Sequence, residues 1–382
     1  MVRNNAIRYM TESMITAAQF AAPFGPWFDR DRGEVLGRSR FGGDFPFDIE
    51  SLMADRVVSS PNLLIFGSLG QGKSSLLRSL LFGDQKKRAI LFDPKGDIGA
   101  CLKKRDYNFL NRPINPFFPH RGRAAIRDSN FEIASVACAY GLHRRLAEVE
   151  VAALWECAQS MEVHASIDGL IETLGFLDDT RGPSQWRGIY RIGDLDPLIS
   201  ACGQLKKSKL VASSTHGWSD SIDVITRGGV VDLSDHLASE HLPLRVALVL
   251  ASLRSAKLAG ISEVSAVGID ELWALLDNSE IASWIERYFK LARGVGISNI
   301  GVTHSISDLA RSSVGTGLIG AVEVFVTFRQ GIDDALQFVK ALGQSTSLAE
   351  VIADLAVGQT LWVVKDRIAL VDLDFKKQCD RS

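Results

Sequence analysis

Between Asn62 and Phe82 the chain runs from an unbroken apolar stretch, Asn62-Leu63-Leu64-Ile65-Phe66, through Gly67-Ser68-Leu69-Gly70-Gln71-Gly72-Lys73-Ser74 into a segment that carries Leu76, Leu77, Leu80 and Leu81 on one side. The first stretch has the signature of a buried strand and the last that of a helix, so the order is strand, loop, helix. The loop fits G-x-x-x-x-G-K-[ST], in which glycines let the backbone curl until successive N–H groups and the helix N-terminus face phosphates. The spacing predicts a phosphate cradle over these eight residues and Ser75. Lys73 would neutralise the β- and γ-phosphates, and the Ser74 hydroxyl would reach Mg²⁺. The plain alternative is a glycine-rich turn with an exposed lysine, against which motif and context agree.

Further apolar runs repeat the strand signature at Ala89 to Asp93, Gly229 to Leu233, Ser265 to Asp270, Asn299 to Thr303 and Val322 to Phe328. Helical spacing separates most of them, which argues for a parallel sheet with helices on both faces. From about Arg123 to Ser219 the strand signal disappears, and Leu142 to Met161 and Ile167 to Leu177 read as helix. The organisation expected is a strand-rich lead-in over 1–60, a first part of the core over 61–122, a helical insertion over 123–219, and the rest of the core over 220–382. A final hairpin, Thr360 to Lys365 with Arg367 to Leu373, is expected at the sheet edge.

Composition narrows the class. In 382 residues, 46% hydrophobic and 23% charged, the 43 basic and 45 acidic side chains leave a net charge of −2, so general polycationic attraction to nucleic acid is excluded. The five cysteines form no CxxC pair and signal neither a zinc site nor a disulfide framework, which fits a reducing cytosol. The apolar runs at 246–253 and 322–328 are too short to span a bilayer. Met10 to Phe28 lacks the order of parts that a signal peptide needs and is read as part of the fold.

The chemistry-bearing residues fall at strand ends. Asp270-Glu271 closes the run Val264 to Ile269, where Asp270 would hold Mg²⁺ through water and Glu271 would orient and deprotonate the attacking water. An acidic cap on the following helix is the alternative. Thr303-His304 ends the next strand, placing His304 to sense the γ-phosphate or that water, or simply to satisfy local hydrogen bonds. The turn Asp93-Pro94-Lys95-Gly96-Asp97 reads equally as turn chemistry or as a neighbour of the nucleotide, and without an [NT]-K-x-D sequence adenine is favoured over guanine. Arg293, near a helix end, and Arg329, just past a strand, are the candidate arginine fingers. A cation beside helix-end carbonyls is the ordinary reading of Arg293.

In their order along the chain, the phosphate loop, the Asp93 to Asp97 turn, Asp270-Glu271, Thr303-His304 and Phe328-Arg329-Gln330 resemble the HerA-FtsK superfamily of ring-forming ATPases. Within it the chain looks most like the motor domain of the large VirB-type (TraC-like) ATPases of conjugative type IV secretion, which also carry a helical subdomain before a strand like Val230-Val231-Asp232-Leu233-Ser234. The similarity spans about residues 20 to 375. It implies a RecA-like P-loop core, α/β with a mainly parallel sheet and a helical insertion. It also implies an ATP- and Mg²⁺-dependent motor, assembled as a ring, a hexamer, at the inner face of a membrane with secretion or conjugation components as partners. Arg293 matches the arginine after the helix that follows the acidic pair, which strengthens the finger reading. Two departures stand. His304 replaces the family's usual glutamine, and the chain starts almost at the motor, so docking through an N-terminal domain is not carried over. The rivals are a DNA-pumping translocase, binding single- or double-stranded DNA through basic loops such as Lys103-Lys104-Arg105 or Lys206-Lys207-Ser208-Lys209, and a nucleotide-shaped scaffold without motor activity.

Overall fold

The computed structural model describes residues 33–374 other than 41–42, 84–87, 103–106, 179–189, 191–192, 213–217, 237–238 and 366. Met10 to Phe28 and the basic run Lys103-Lys104-Arg105 lie outside the described residues. Eleven strands form one sheet: β1 Glu34–Ser39, β2 Asp44–Phe47, β3 Leu63–Phe66, β4 Ala89–Asp93, β5 Phe109–Leu110, β6 Gly229–Asp232, β7 Ala266–Ile269, β8 Ser298–Val302, β9 Val324–Thr327, β10 Gln359–Val364 and β11 Arg367–Leu373. Their order is β2-β1-β11-β10-β9-β3-β8-β7-β4-β6-β5. All pairs from β9 to β5 are parallel, while β9–β10, β10–β11, β11–β1 and β1–β2 are antiparallel.

Why these short runs become interior strands follows from alternation. In β3, Leu63 and Ile65 face one apolar cluster and Leu64 and Phe66 the other; in β4, Ala89 and Leu91 oppose Ile90 and Phe92 in the same way. Strands buried on both faces must be apolar at every position, so they read as continuous runs. The helix Lys73–Phe82 covers one face through Leu76, Leu77 and Leu81. On the other face the helices Leu242–Leu258 and Ser279–Val295 join the same cluster as Phe66, Phe92 and Ile269. The fold is thus a three-layer α/β sandwich with a mainly parallel sheet.

Helices Ala124–Leu142, Glu148–Ser160, Ile167–Asp178 and Asp196–Lys207 lie between β5 and β6 in sequence, and Ala124–Leu142 packs on Leu242–Leu258. Their cysteines Cys138, Cys157 and Cys202 are wholly buried in the cluster that continues onto the sheet. The single helical stretch expected over Leu142 to Met161 is interrupted: one helix ends at Leu142 with His143 in left-handed conformation (φ 52°), and the next begins at Glu148.

The terminal hairpin is not at the sheet edge, where the sequence had placed it. Its β11 pairs with β1, and β2 lies beyond. Trp362 on β10 packs against Phe45 and Phe47 of β2, with centroids 5.1 and 4.8 Å apart, so the apolar side of the hairpin is covered by the lead-in strands. Two-residue β5, too short for a periodic signal, closes the other edge.

Candidate active site

Parallel α/β sheets bind ligands outside the carboxyl ends of their strands, where connections from neighbouring strands leave in opposite directions. Here β3 is flanked by β9 on one side and β8 on the other, and β7 follows β8. The phosphate loop leaves β3, Asp270-Glu271 leaves β7, and Thr303-His304 leaves β8.

The loop is pinned by its neighbours. Gly67 N–H donates to the His304 carbonyl (3.0 Å) and Ser68 N–H to that of Arg329 (2.9 Å). Gly67 has φ +148°, and a Cβ there would lie 2.6 Å from Phe328 Cβ, so only glycine passes between the two strand ends. Leu69 stands at the tip, 71% exposed, whereas Gln71 is buried with Oε1 lacking a hydrogen-bond partner among the described residues. Lys73 folds back, donating to the carbonyls of Gly67 (2.6 Å) and Ser68 (2.9 Å). Burial lowers its pKa, with the charges of Glu271 and Asp270 working against the shift. Ser75 follows in the first turn of the helix.

Ser74 Oγ donates to Asp270 Oδ2 at 3.3 Å, and Asp270 Oδ1 accepts from the Glu271 backbone N–H at 3.0 Å. Burial, with the adjacent Glu271 charge, pushes the Asp270 carboxyl up to about 6. Glu271, 4% exposed, sits in left-handed conformation (φ 52°). Its Oε1 accepts from Lys95 Nζ and its Oε2 from the Trp273 indole N–H, with His304 Nε2 3.3 Å from Oε2. Burial favours the neutral acid, but Lys95, Trp273 and His304 together outweigh it and hold Glu271 below the usual carboxylate range. His304 Nδ1 is 3.5 Å from Lys73 Nζ, so Lys73, His304, Glu271 and Lys95 form one continuous line across the strand ends.

Trp273 is not among the site residues expected from sequence, and Lys95 is read there only as part of a turn that could equally be turn chemistry or a neighbour of the nucleotide. Lys95 belongs to the turn after β4, and that turn is stapled by Asp93, whose Oδ1 and Oδ2 accept from the N–H groups of Gly96 (3.0 Å) and Gly99 (2.6 Å). Gly96 supplies the positive φ (+73°) that the turn requires. Burial lowers the Lys95 pKa, yet the hydrogen bond and charge of Glu271 more than compensate and raise it.

Arg329 is exposed beside the loop that its carbonyl holds. Arg293 is elsewhere. It lies exposed in the last turn of Ser279–Val295, which leads into the amino end of β8, opposite to the end that carries the phosphate loop. Five residues of strand span roughly 16 Å, so Arg293 does not join its own chain's site. Lys206 is paired with Asp168 (2.6 Å).

The residues present fit a magnesium nucleotide. Ser74 and Asp270 are adjacent hard oxygen donors, the kind Mg²⁺ takes in company with phosphate oxygens and water rather than from an all-protein cage. The backbone cradle beside Gly67 leaves no room for a side chain, and Gln71 Oε1 and Lys73 carry polar groups that a bound polyphosphate and its water would engage.

The same architecture occurs in solved structures. VirB4 of Thermoanaerobacter pseudethanolicus matches with a TM-score of 0.69 at 19% identity, covering 92% of this chain and 99% of that one. The plasmid coupling protein TrwB in complex with ADP and Mg²⁺ matches with a TM-score of 0.58 at 17% identity, covering 93% of each chain, and so does TrwB with a non-hydrolysable ATP analogue. These likenesses agree with the resemblance carried by the motifs and establish the P-loop NTPase fold. No family model matches the sequence, and no curated protein matches it either.

Proposed function

We propose that the chain is an ATP-hydrolysing motor of a conjugative type IV secretion-like apparatus, working as a ring, a hexamer, to power substrate transfer or pilus assembly. The observation that carries this reading is the convergence of Lys73, Ser74, Asp270 and Glu271 at the carboxyl ends of β3 and β7, with Ser74 in contact with Asp270. The architecture shared with VirB4 and TrwB supports it.

ATP would lie in the cradle of Gly67 to Ser75, its β- and γ-phosphates drawing Lys73 away from the carbonyls it now binds. Mg²⁺ between Ser74 and Asp270 would neutralise phosphate charge. Glu271 accepts the proton of the attacking water, and His304, between Lys73 and Glu271, hydrogen-bonds near the γ-phosphate. Arg329, exposed beside the phosphate loop, would reach phosphate within the chain. Arg293, far from its own site, supplies positive charge to a neighbouring subunit's site, which makes hydrolysis depend on the ring. No helix among the described residues is long and apolar enough to cross a membrane; association with the inner face of one would come through secretion or conjugation components.

The test is ATP turnover across a protein concentration series, with and without single- and double-stranded DNA. The secretion motor is expected to gain specific activity on assembly without needing DNA. Turnover that requires DNA would instead support a DNA-pumping translocase, and none under any condition would leave a scaffold.

A further inference from the structure

Glu271 carries a contradiction for a general base. Two donors hold its carboxylate, Lys95 on one oxygen and Trp273 on the other, and His304 Nε2 lies 3.3 Å from that second oxygen. A base needs a lone pair aimed at water and a charge that is not already neutralised. With the Lys95 ammonium on Oε1, the carboxylate is parked. The donor that parks it is also well placed to leave: Lys95 is 36% exposed at the side chain against 5% for Glu271, and the stapled turn holds only its backbone, leaving a flexible four-carbon stem.

The other ammonium of the cleft is in the same condition. Lys73 is satisfied by the carbonyls of Gly67 and Ser68. The two lysines stand at opposite ends of the line Lys73, His304, Glu271, Lys95, and on the ATPase reading the γ-phosphate with its attacking water would lie beside that line, between Ser74 and Glu271.

We propose that Lys95 is a positioning residue that exchanges its ion pair, binding Glu271 before nucleotide arrives and the γ-phosphate afterwards, so that arrival of the third phosphate releases the base. The inference rests on the ATPase reading above. It makes Lys95 a reader of triphosphate against diphosphate, since only the γ-phosphate competes with Glu271 for the ammonium. A bystander ion pair that merely stabilises the turn would affect both nucleotides alike.

The exchange has a thermodynamic signature, because Glu271 and the γ-phosphate compete for one cation. Affinities for Mg²⁺-ADP and for the Mg²⁺ β,γ-imido analogue of ATP are measured by titration calorimetry on the full chain and its Glu271→Gln, Lys95→Met, Lys95→Arg and double Lys95→Met/Glu271→Gln variants. Lys95→Met should weaken the ATP analogue about tenfold and ADP less than about twofold, as expected for a lost charge-assisted contact to one phosphate. Lys95→Arg should restore most of the preference. Glu271→Gln should tighten the analogue about fivefold by freeing Lys95, and that gain should vanish when Lys95 is Met. If the wild type binds both nucleotides but the cycle is additive, or Lys95→Met leaves the preference for triphosphate unchanged, the exchange is wrong and the ATPase reading stands. If the wild type binds neither nucleotide, both fall.

Discussion

Ser74 Oγ and Asp270 Oδ2 are 3.3 Å apart, one delivered by the first turn of a helix that follows β3 and the other by the end of β7, a strand that does not touch β3. β8 lies between them, so the contact is made over the end of the intervening strand, and the cleft it spans is where a metal and phosphates fit together. Burial and the Glu271 charge outweigh the attraction of Lys95 on the Asp270 carboxylate, and its pKa is pushed up to about 6, from 3.8.

That shift has a sign. A carboxyl whose folded pKa is raised stabilises the fold, relative to a neutral isostere, only while it is protonated; the benefit is full below the unfolded pKa of 3.8 and lost as pH rises through about 6. Above pH 7 the ionised Asp270 costs on the order of 2–3 kcal/mol in the metal-free chain. Asp270→Asn should therefore melt a few degrees higher than wild type at pH 7.5 without Mg²⁺ or nucleotide, with the gap closing towards pH 4.5. Scanning calorimetry across that range checks it; equal melting temperatures at pH 7.5 contradict the burial of a charged Asp270.

Lys73→Ala and Glu271→Gln should fail differently. On the proposed reading Lys73 leaves the Gly67 and Ser68 carbonyls for phosphate, so its loss should weaken nucleotide binding by tenfold or more, an amount on the order of one charge-assisted hydrogen bond. Glu271→Gln retains the phosphate contacts and removes the base, so Mg²⁺-ATP stays bound while turnover falls by roughly 10²–10⁴-fold. Paired binding and turnover measurements separate them, and wild-type turnover in Glu271→Gln refutes the base assignment.

The strands of the core were legible because each is buried on both faces and so apolar throughout, as in Leu63-Leu64-Ile65-Phe66. The phosphate loop and the acidic pair announce themselves within a few residues of such runs. Lys95 shows only as part of a turn that reads equally as turn chemistry, because its contact with Glu271 depends on β4 lying beside β7, a neighbourhood joining residues 176 apart in sequence. Nothing local to the Asp93 to Asp97 turn says which strand end its lysine faces. The hairpin was misplaced for the same kind of reason: the β1–β11 pairing joins the two ends of the described chain, and the Phe45 and Phe47 contacts with Trp362 have no periodic signature that names their partner.

Gly67→Ala tests whether the cradle must remain bare. The new Cβ would meet Phe328 Cβ at 2.6 Å in a conformation (φ +148°) that L residues rarely adopt, so both strain and collision act on the carboxyl end of β3. A cost of about 1–3 kcal/mol in stability is expected, and since the loop shifts with it, loss of nucleotide binding should accompany the lower melting temperature. Unaltered nucleotide affinity in Gly67→Ala would mean that the loop backbone does not hold the phosphates.

Arg293 is tested by dilution and mixing, because its position in the helix turn before the amino end of β8 removes it from its own site, and a role in catalysis would then have to be exercised on a neighbouring subunit rather than as a helix-end cation alone. Its guanidinium is exposed and has none of the ion pairs found among the described residues, which suits a group whose partner arrives with assembly. In a ring each Arg293→Ala subunit would disable the site of the subunit next to it while keeping its own phosphate loop intact. Specific activity of the wild type should rise with protein concentration, and Arg293→Ala chains mixed into wild-type rings should depress turnover beyond their mole fraction when carried with Lys73→Ala in the same chain, since each doubly altered subunit then inactivates two sites. Fingers of this kind contribute on the order of 10³-fold or more to turnover, so the loss is easily read. Turnover strictly proportional to the wild-type fraction, with a rate per chain that dilution leaves unchanged, would show that Arg293 serves no neighbour.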